Sequence, residues 1–356
     1  MNLFYRLDRL DDFKYHIGMN TFLQMNEIYW GRSEELMNRI EPNSIALSFW
    51  SPPYFVGKEY EADETYESWQ VMLKTVIGLH ANVLKPGGFM VINIADIIAF
   101  KDETIPRFQG LNISNRKSPV TKEVVLEAKA KFPSYNRDQL AAYLGCSEQT
   151  IDRRLNGNNI RGGKHQTQTR IKLVGGPLET YSYNCGLYLY DKRIWKKDPA
   201  WANSRWTTNT LKAVSETEDI YIFWKAGEYE VNRSRLTEIE WKEWGYRQIW
   251  EIQSVRKNDD HEAKFPDELA RRIIKLYSDK NDIVLDPFLG SGTTAIVAKH
   301  EGRHYIGIEK EEKYVALARD NIKKAGMQSS LFDEMSSPRT LYPHNAIQQV
   351  SAGFQN

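Results

Sequence analysis

Apolar residues recur near both ends of the chain with the spacings of alternating strands and helices. Residues 44–49 form a short apolar run after a Pro-Asn break, which predicts a buried strand. Residues 66–84 carry Trp69, Leu73 and Ile77 at helical spacing; Lys-Pro-Gly-Gly at 85–88 is predicted to end that helix, and a strand is predicted over 89–94. Further along, the pattern predicts helices over 266–277, 293–300 and 313–325, with strands over 282–285 and 305–308.

Repeated β-α-β units indicate an α/β fold with a mostly parallel, doubly wound sheet. The middle of the chain does not follow this rhythm, because residues 101–172 are polar and show little strand character. We therefore predict a main domain from residues 1–100 and 173–326, an inserted region at 101–172 and a flexible tail at 327–356. Within the main domain, residues 173–250 are a further candidate for contacts with a partner.

Composition narrows the class of protein. Lys and Arg number 48 against 47 Asp and Glu, which disfavours both a wholly basic nucleic-acid coat protein and an acidic disordered chain. The insertion is nevertheless basic, with 14 basic and 7 acidic residues, which favours a polyanion partner. Two cysteines exclude a disulfide framework and a multi-thiolate metal site, so no metal is expected. Charged residues at the N-terminus, and the lack of an 18-residue apolar run, predict a cytoplasmic protein away from membranes.

A glycine-containing turn follows the predicted strand at 282–285. It reads Asp-Pro-Phe-Leu-Gly-Ser-Gly-Thr-Thr over 286–294 and opens a helix, whose free N–H groups suit an anion. Glu309 ends the next strand, 23 residues after Asp286, where an acid can accept hydrogen bonds from two ribose hydroxyls. Only one Gly-x-Gly is present, so a mononucleoside with a carboxylate tail fits better than a dinucleotide.

A second loop follows the first strand and reads Ser-Pro-Pro-Tyr over 51–54. Two prolines stiffen it and remove N–H donors, which leaves the Pro52 carbonyl free to point into a cleft. Ser51 supplies a hydroxyl and Tyr54 a flat ring face. Together they could hold an exocyclic amino group and stack on its ring, at the strand end where doubly wound sheets bind ligands.

The two loops, in this order, resemble the beta group of DNA amino-methyltransferases, and the resemblance covers about two thirds of the chain, apart from 101–172 and the tail. It implies the seven-stranded sheet of methyltransferases that use S-adenosyl-L-methionine (AdoMet). Where family members often have Gly-Asp, this chain has Gly31-Arg32, so no role passes to Arg32. The resemblance places Ser51, Pro52, Pro53 and Tyr54 in the catalytic loop. It implies an AdoMet site formed by Lys264, Phe265, Pro266, Asp286, Pro287, Phe288, Gly290, Ser291, Gly292, Thr293 and Glu309.

An exocyclic amine on a base is a poor nucleophile, because its lone pair is delocalised into the ring. Ser51 Oγ and the Pro52 carbonyl would accept its two N–H bonds, and Tyr54 would stack on a base flipped out of double-stranded DNA. Methylation at cytosine C5 would need a thiolate, and neither cysteine lies in a Pro-Cys loop. In the family, Ser-Pro-Pro-Tyr more often accompanies cytosine N4 as the target and Asp-Pro-Pro-Tyr adenine N6. Cytosine N4 is therefore expected, with adenine N6 as the alternative.

Residues 137–157 resemble a helix-turn-helix unit, with Gly145 at the turn and Ser147 as the cap of the second helix. Gln149, Arg153 and Arg154 on that helix are candidates for contacts with DNA. A plain helical hairpin is the alternative. A non-catalytic DNA-binding regulator and an RNA or protein methyltransferase are competing classes. The intact loops disfavour the regulator, and the helix-turn-helix pattern disfavours the others.

The sequence suggests two further protein partners. A cognate restriction endonuclease would accompany a site-specific modification enzyme. In the tail, Gln328, Leu331 and Phe332 resemble the short peptide by which bacterial DNA enzymes dock on the replication sliding clamp. The alternative for these two apolar side chains is packing back onto the sheet.

Overall fold

The computed structural model describes residues 22–54, 65–97, 100, 104, 119–156, 171–199, 213–255 and 265–336, with 327–336 as backbone. The strands are β1 (Glu27–Trp30), β2 (Ile45–Trp50), β3 (Leu84–Ile94), β4 (Leu187–Lys196), β5 (Thr217–Lys225), β6 (Ile249–Glu251), β7 (Ile283–Asp286) and β8 (His304–Glu309). The α-helices are α1 (Ser33–Leu36), α2 (Tyr66–Val83), α3 (Lys122–Lys131), α4 (Arg137–Leu144), α5 (Glu148–Asn156), α6 (Gly175–Asn184), α7 (Glu238–Glu240), α8 (Asp267–Tyr277), α9 (Thr293–His300) and α10 (Glu312–Ser336). Short 3₁₀ helices (Met37–Arg39, Arg233–Arg235) and a π-helical turn (Trp241–Gly245) complete the elements.

One sheet contains all of these strands, in the order β1-β8-β7-β2-β3-β5-β4-β6. Neighbours from β1 to β3 are parallel, whereas β5 runs antiparallel to β3 and β4. The α/β class and the mostly parallel sheet are confirmed. The expected count of seven strands is wrong, since the described residues form a sheet of eight. β1 and β6 have only 4 and 3 residues, too short to show a periodic pattern.

This strand order brings several distant segments to one edge of the sheet. The carboxyl ends of β2, β3, β7 and β8 lie there because these strands are parallel. The start of β5 lies there too, because its antiparallel register pairs Ile94 with Asp219. The end of β4 joins them, with Trp195 opposite Glu218. Loops at residues 51, 95, 197, 287 and 310 therefore share one edge.

Both faces of the sheet are covered by helices. Along the end of β2 the side chains alternate: Leu47 and Phe49 belong to the core beneath α8 and α9, and Trp50 belongs to the core beneath α2. Ile45 also belongs to the second core, because the pairing of β2 shifts register between Ile45 and Leu47. Both layers are apolar, which explains why the central strands read as continuous hydrophobic runs. A side chain that reaches the carboxyl edge is therefore held by a rigid, two-sided core.

The predicted turn at 85–88 is wrong. α2 ends at Val83 and β3 begins at Leu84, with no turn between them. Gly87 has φ 80°, and a Cβ there would lie 2.1 Å from the backbone oxygen of Glu228. Lys-Pro-Gly-Gly therefore serves a close approach of two backbones and is not a helix stop.

Helices α3, α4 and α5 pack around a small separate core. Buried Val125, Leu140 and Ile151 come one from each helix. Gly145 ends α4 in the left-handed conformation (φ 63°, ψ 36°), and the Thr150 N–H donates to Ser147 Oγ (3.3 Å). The turn and the cap expected of the helix-turn-helix unit are thus present. The domain boundaries stay a prediction.

None of the helices in the described part of the chain is long and apolar enough to cross a membrane. α10 continues past the predicted end at residue 325 to Ser336. The side chains of Gln328, Leu331 and Phe332 lie outside the described residues, so the clamp peptide stays a prediction.

Candidate active site

The glycine-containing loop joins β7 to α9 and is tied to the end of β8. The Gly290 N–H donates to Glu309 Oε2 (2.8 Å), and the Glu311 N–H donates to Oε1 (2.8 Å). Gly292, at φ 94°, caps α9, and a Cβ on it would come within 3.1 Å of Ala318 Cβ. The predicted residues of this loop and Glu309 are therefore brought together. Each Glu309 oxygen keeps a lone pair for a further donor.

Two acids occupy this region of low solvent access. Burial raises the pKa of Asp286 to about 7. The Phe288 N–H donates to Asp286 Oδ1 (2.9 Å) and lowers this pKa, whereas the nearby charge of Glu309 raises it further. Burial also raises the pKa of Glu309, against the effect of its backbone donors. The site therefore suits a ligand that offers hydrogen-bond donors.

Aromatic side chains line the sheet on either side of the β2 carboxyl end. Phe265 contacts Phe49 (ring centroids 4.9 Å apart), and Phe288 contacts Trp50 (5.3 Å). The Pro266 carbonyl accepts the Leu269 N–H at the start of α8 (3.0 Å). Phe265 and Phe288 therefore pack against opposite faces of the sheet, one on each side of the β2 carboxyl end. Lys264 lies outside the described residues.

The Ser-Pro-Pro-Tyr loop is anchored to β3. Ser51 Oγ donates its single proton to the Asn93 carbonyl (2.9 Å) or to Tyr54 Oη (3.2 Å). The Pro53 carbonyl accepts Trp69 Nε1–H (2.7 Å), whereas within the described part of the chain no donor reaches the Pro52 carbonyl. Ser51 Oγ and the Pro52 carbonyl therefore both retain lone pairs for an incoming amine.

A buried carboxylate that the sequence did not single out supports this loop. Tyr54 Oη donates to Glu218 Oε2 (2.6 Å), and Asn93 Nδ2 donates to the same oxygen (2.7 Å). Lys197 forms an ion pair with Glu218 Oε1. Glu218 is 6% exposed and Asn93 1%. Burial, followed by the nearby Glu218 charge, raises the pKa of Tyr54 well above 10.0, so the phenol keeps its proton.

Asn93 had a signal in the sequence, since it interrupts the apolar run of β3. Glu218 and Lys197 had none, because they reach the site only through the antiparallel pairing of β4 and β5.

The predicted DNA-contacting residues differ in their surroundings. Gln149 and Arg153 are exposed on α5. Arg154 is partly buried, and its Nε donates to the Val120 carbonyl (2.9 Å). Arg137 forms an ion pair with Asp152 of α5 (2.8 Å). Arg154 therefore has a structural contact inside the helical unit, whereas Gln149 and Arg153 face solvent.

Residues 45–320 match the family model described as DNA methylase. Type II methyltransferase M.BglI of Bacillus subtilis is 55% identical over 304 residues, which is 85% of this chain and 87% of the relative. Type II methyltransferase M.BglII, also of Bacillus subtilis, is 26% identical over 349 residues (96% and 81%).

Two solved structures share the fold. The Thermus thermophilus protein TTHA0409, complexed with S-adenosyl-L-methionine, aligns with TM-score 0.55 and 22% identity, over 84% of this chain and 93% of that one. The PvuII DNA methyltransferase (cytosine-N4-specific) aligns with TM-score 0.54 and 15% identity (87% and 94%).

Proposed function

The chain belongs to the DNA methylase family of N6 and N4 amino-methyltransferases, and from that premise we propose that it transfers a methyl group from AdoMet to cytosine N4 in double-stranded DNA. The observation that carries the choice of base is Ser51 at the head of the Ser-Pro-Pro-Tyr loop. The name of the PvuII neighbour agrees with cytosine N4, although at 15% identity that likeness concerns the fold.

The cofactor side of the site fits AdoMet. Glu309 would accept the ribose hydroxyls through the lone pairs that its backbone donors leave free. The start of α9 at Thr293, with Ser291 and Gly292 before it, would face the methionine carboxylate. Phe265 and Phe288 would line the cofactor site from the two sides of the β2 carboxyl end. AdoMet, when bound, supplies the electrophilic methyl group.

The substrate side fits an exocyclic amine. Ser51 would accept one amine N–H because its own proton is directed towards Asn93 or Tyr54. The Pro52 carbonyl would accept the other, and the Tyr54 ring would stack on the flipped base. Two acceptors draw the nitrogen towards tetrahedral geometry and direct its lone pair to the methyl group, so positioning supplies most of the catalysis.

The helical unit would provide recognition. Gln149 and Arg153 are the exposed candidates for contacts with base edges or phosphates. We also propose that the protein protects DNA against a cognate restriction endonuclease, as the type II names of its relatives suggest.

The test is to incubate the purified protein with tritiated AdoMet and unmethylated genomic DNA, RNA or protein, and then identify the modified nucleoside by mass. N4-methylcytosine in DNA is the expected product. N6-methyladenine would overturn the choice of base, and label in RNA or protein alone would overturn the substrate. A regulator would bind DNA without transferring label.

A further inference from the structure

Methyl transfer to an amine leaves a proton to be removed. The S–CH3 bond breaks and an N–CH3 bond forms, so the nitrogen carries a positive charge until one N–H bond breaks. This proton must be carried away from the methylated amine before the product base is neutral. The amine acceptors Ser51 Oγ and the Pro52 carbonyl are poor final destinations, because a hydroxyl and an amide oxygen are weak bases.

A continuous hydrogen-bonded path leads away from Ser51. Ser51 Oγ can donate its proton to Tyr54 Oη, which lies 3.2 Å away. Tyr54 Oη in turn donates to Glu218 Oε2 at 2.6 Å. Both bonds point in the same direction, from the base site to the carboxylate. The second is of the short kind that forms between a hydroxyl and an ionised acceptor.

Stability does not explain a carboxylate at this position. Glu218 is 6% exposed, and burying a charge costs free energy even when it is paired, as here with Lys197. A neutral amide could accept the Tyr54 hydrogen bond with its one oxygen, although its NH2 group would then face Lys197. For catalysis, the difference that matters is that a carboxylate can accept a proton and an amide cannot.

We propose that Glu218 is the proton acceptor of the reaction, reached from the target amine through Ser51 Oγ and Tyr54 Oη. The amine proton passes to Ser51 Oγ, the Ser51 proton to Tyr54 Oη, and the Tyr54 proton to Glu218 Oε2. The transfers are concerted, since the Tyr54 phenol gains one proton as it loses another. Glu218 becomes a neutral acid and returns its proton to solvent as products leave, so charge balances over one turnover.

Asn93 and Lys197 are positioning residues in this path. The Asn93 backbone carbonyl is the alternative acceptor for the Ser51 proton (2.9 Å), and Asn93 Nδ2–H donates to Glu218 (2.7 Å). Lys197 holds the other carboxylate oxygen. These two residues hold the Ser51 hydroxyl and the Glu218 carboxylate in place, and neither of them carries the transferred proton.

This inference rests on the proposed amine methylation, and single-turnover transfer of tritiated methyl groups to unmethylated genomic DNA tests it. The variants are Glu218→Gln and Tyr54→Phe. The first keeps the shape of the side chain but cannot accept the proton, and the second keeps the ring but lacks the hydroxyl that carries it. Each is expected to lower the rate about 100-fold. The double variant should fall no further, because the two residues act in one path. AdoMet affinity, measured by calorimetry, should not change.

The decisive readout is the response to added base. In both variants the rate should rise in proportion to the concentration of imidazole buffer base, whereas the wild-type rate should not. Glu251→Gln, in the neighbouring exposed ion pair with Lys196, and Tyr221→Phe, whose hydroxyl donates to Asp219 (2.9 Å), are matched controls that should keep the wild-type rate.

Rates within about threefold of wild type in both variants would overturn the proton path. A lost rate that ignores added base would also overturn it, and would leave Glu218 as a positioning residue. If the wild-type protein transfers no methyl group to DNA, the proposed function fails instead, which separates the two results.

Discussion

Changing Glu309 to Gln tests the cofactor site at a carboxylate whose two oxygens are both held by backbone hydrogen bonds. Its two oxygens each accept one backbone N–H, from Gly290 and from Glu311, both at 2.8 Å. Glutamine has the same shape but only one acceptor oxygen. Its NH2 group would therefore face one of these N–H donors, and the binding of ribose hydroxyls would lose the charged acceptor.

The magnitude follows from these contacts. One buried N–H left without a partner costs about 1–3 kcal/mol, and a hydrogen bond to a charged group contributes a similar amount. The first cost falls partly on the stability of the apo protein, because the Gly290 bond exists without ligand. We therefore expect the AdoMet Kd of Glu309→Gln to rise about 10- to 100-fold, since each 1.4 kcal/mol is tenfold.

Isothermal calorimetry with AdoMet measures the affinity, and thermal unfolding of the apo protein measures the stability cost separately. Glu312→Gln is the matched control, because it removes the same charge from an exposed side chain three residues along. A Glu309→Gln protein that is folded and binds AdoMet within about twofold of wild type would refute the ribose assignment.

Four further substitutions test other parts of the molecule. Ser51→Ala should lower kcat about 100-fold or more with unchanged AdoMet affinity, because it removes an amine acceptor and no cofactor contact; near-normal turnover would contradict this. Arg153→Ala should weaken DNA binding and reduce its salt dependence, whereas Arg154→Ala should lower Tm, because it removes the hydrogen bond to the Val120 carbonyl. Filter binding at several salt concentrations, together with melting curves, separates the two variants. Equal effects of both variants on both measurements would oppose the assignment. The pKa of Asp286 is about 7 in the folded protein, against 3.8 for an ordinary Asp side chain. The folded protein therefore binds this proton more tightly than the unfolded chain does, so the contribution of Asp286 to the free energy of unfolding falls as pH rises from 3.8 to about 7. Asp286→Asn should make the decline less steep in denaturant titrations, and an unchanged slope would exclude Asp286 as its source.

Much of the fold could be predicted from the sequence, because the signals are local. An apolar run followed by a turn and a helical pattern predicts β2, β3, β7, β8 and the helices between them, and the two loops at 51–54 and 286–294 stand out beside them. Gly145 and Ser147 likewise indicate the turn and cap of the helical unit, since both act within a few residues of their own position. The family resemblance carried by these loops was confirmed.

Signals that depend on distant neighbours were missed. The short strands β1 and β6 carry no pattern of their own and form where longer strands offer an open edge. The segment at 85–88 has turn-forming residues, yet Gly87 serves the approach of the Glu228 backbone, which is far away in the sequence.

The support of the catalytic loop was decided by tertiary structure alone. Ser51, Asn93, Lys197 and Glu218 come from four separate parts of the chain, and the last two carry no signal in their local sequence. They meet because the parallel order of β2 and β3 aligns two carboxyl ends, while the antiparallel β5 returns its first residues to the same edge. Periodicity reveals which face of a strand is buried, but the pairing of strands determines which polar side chains share that edge, and pairing is set by the packing of the whole sheet.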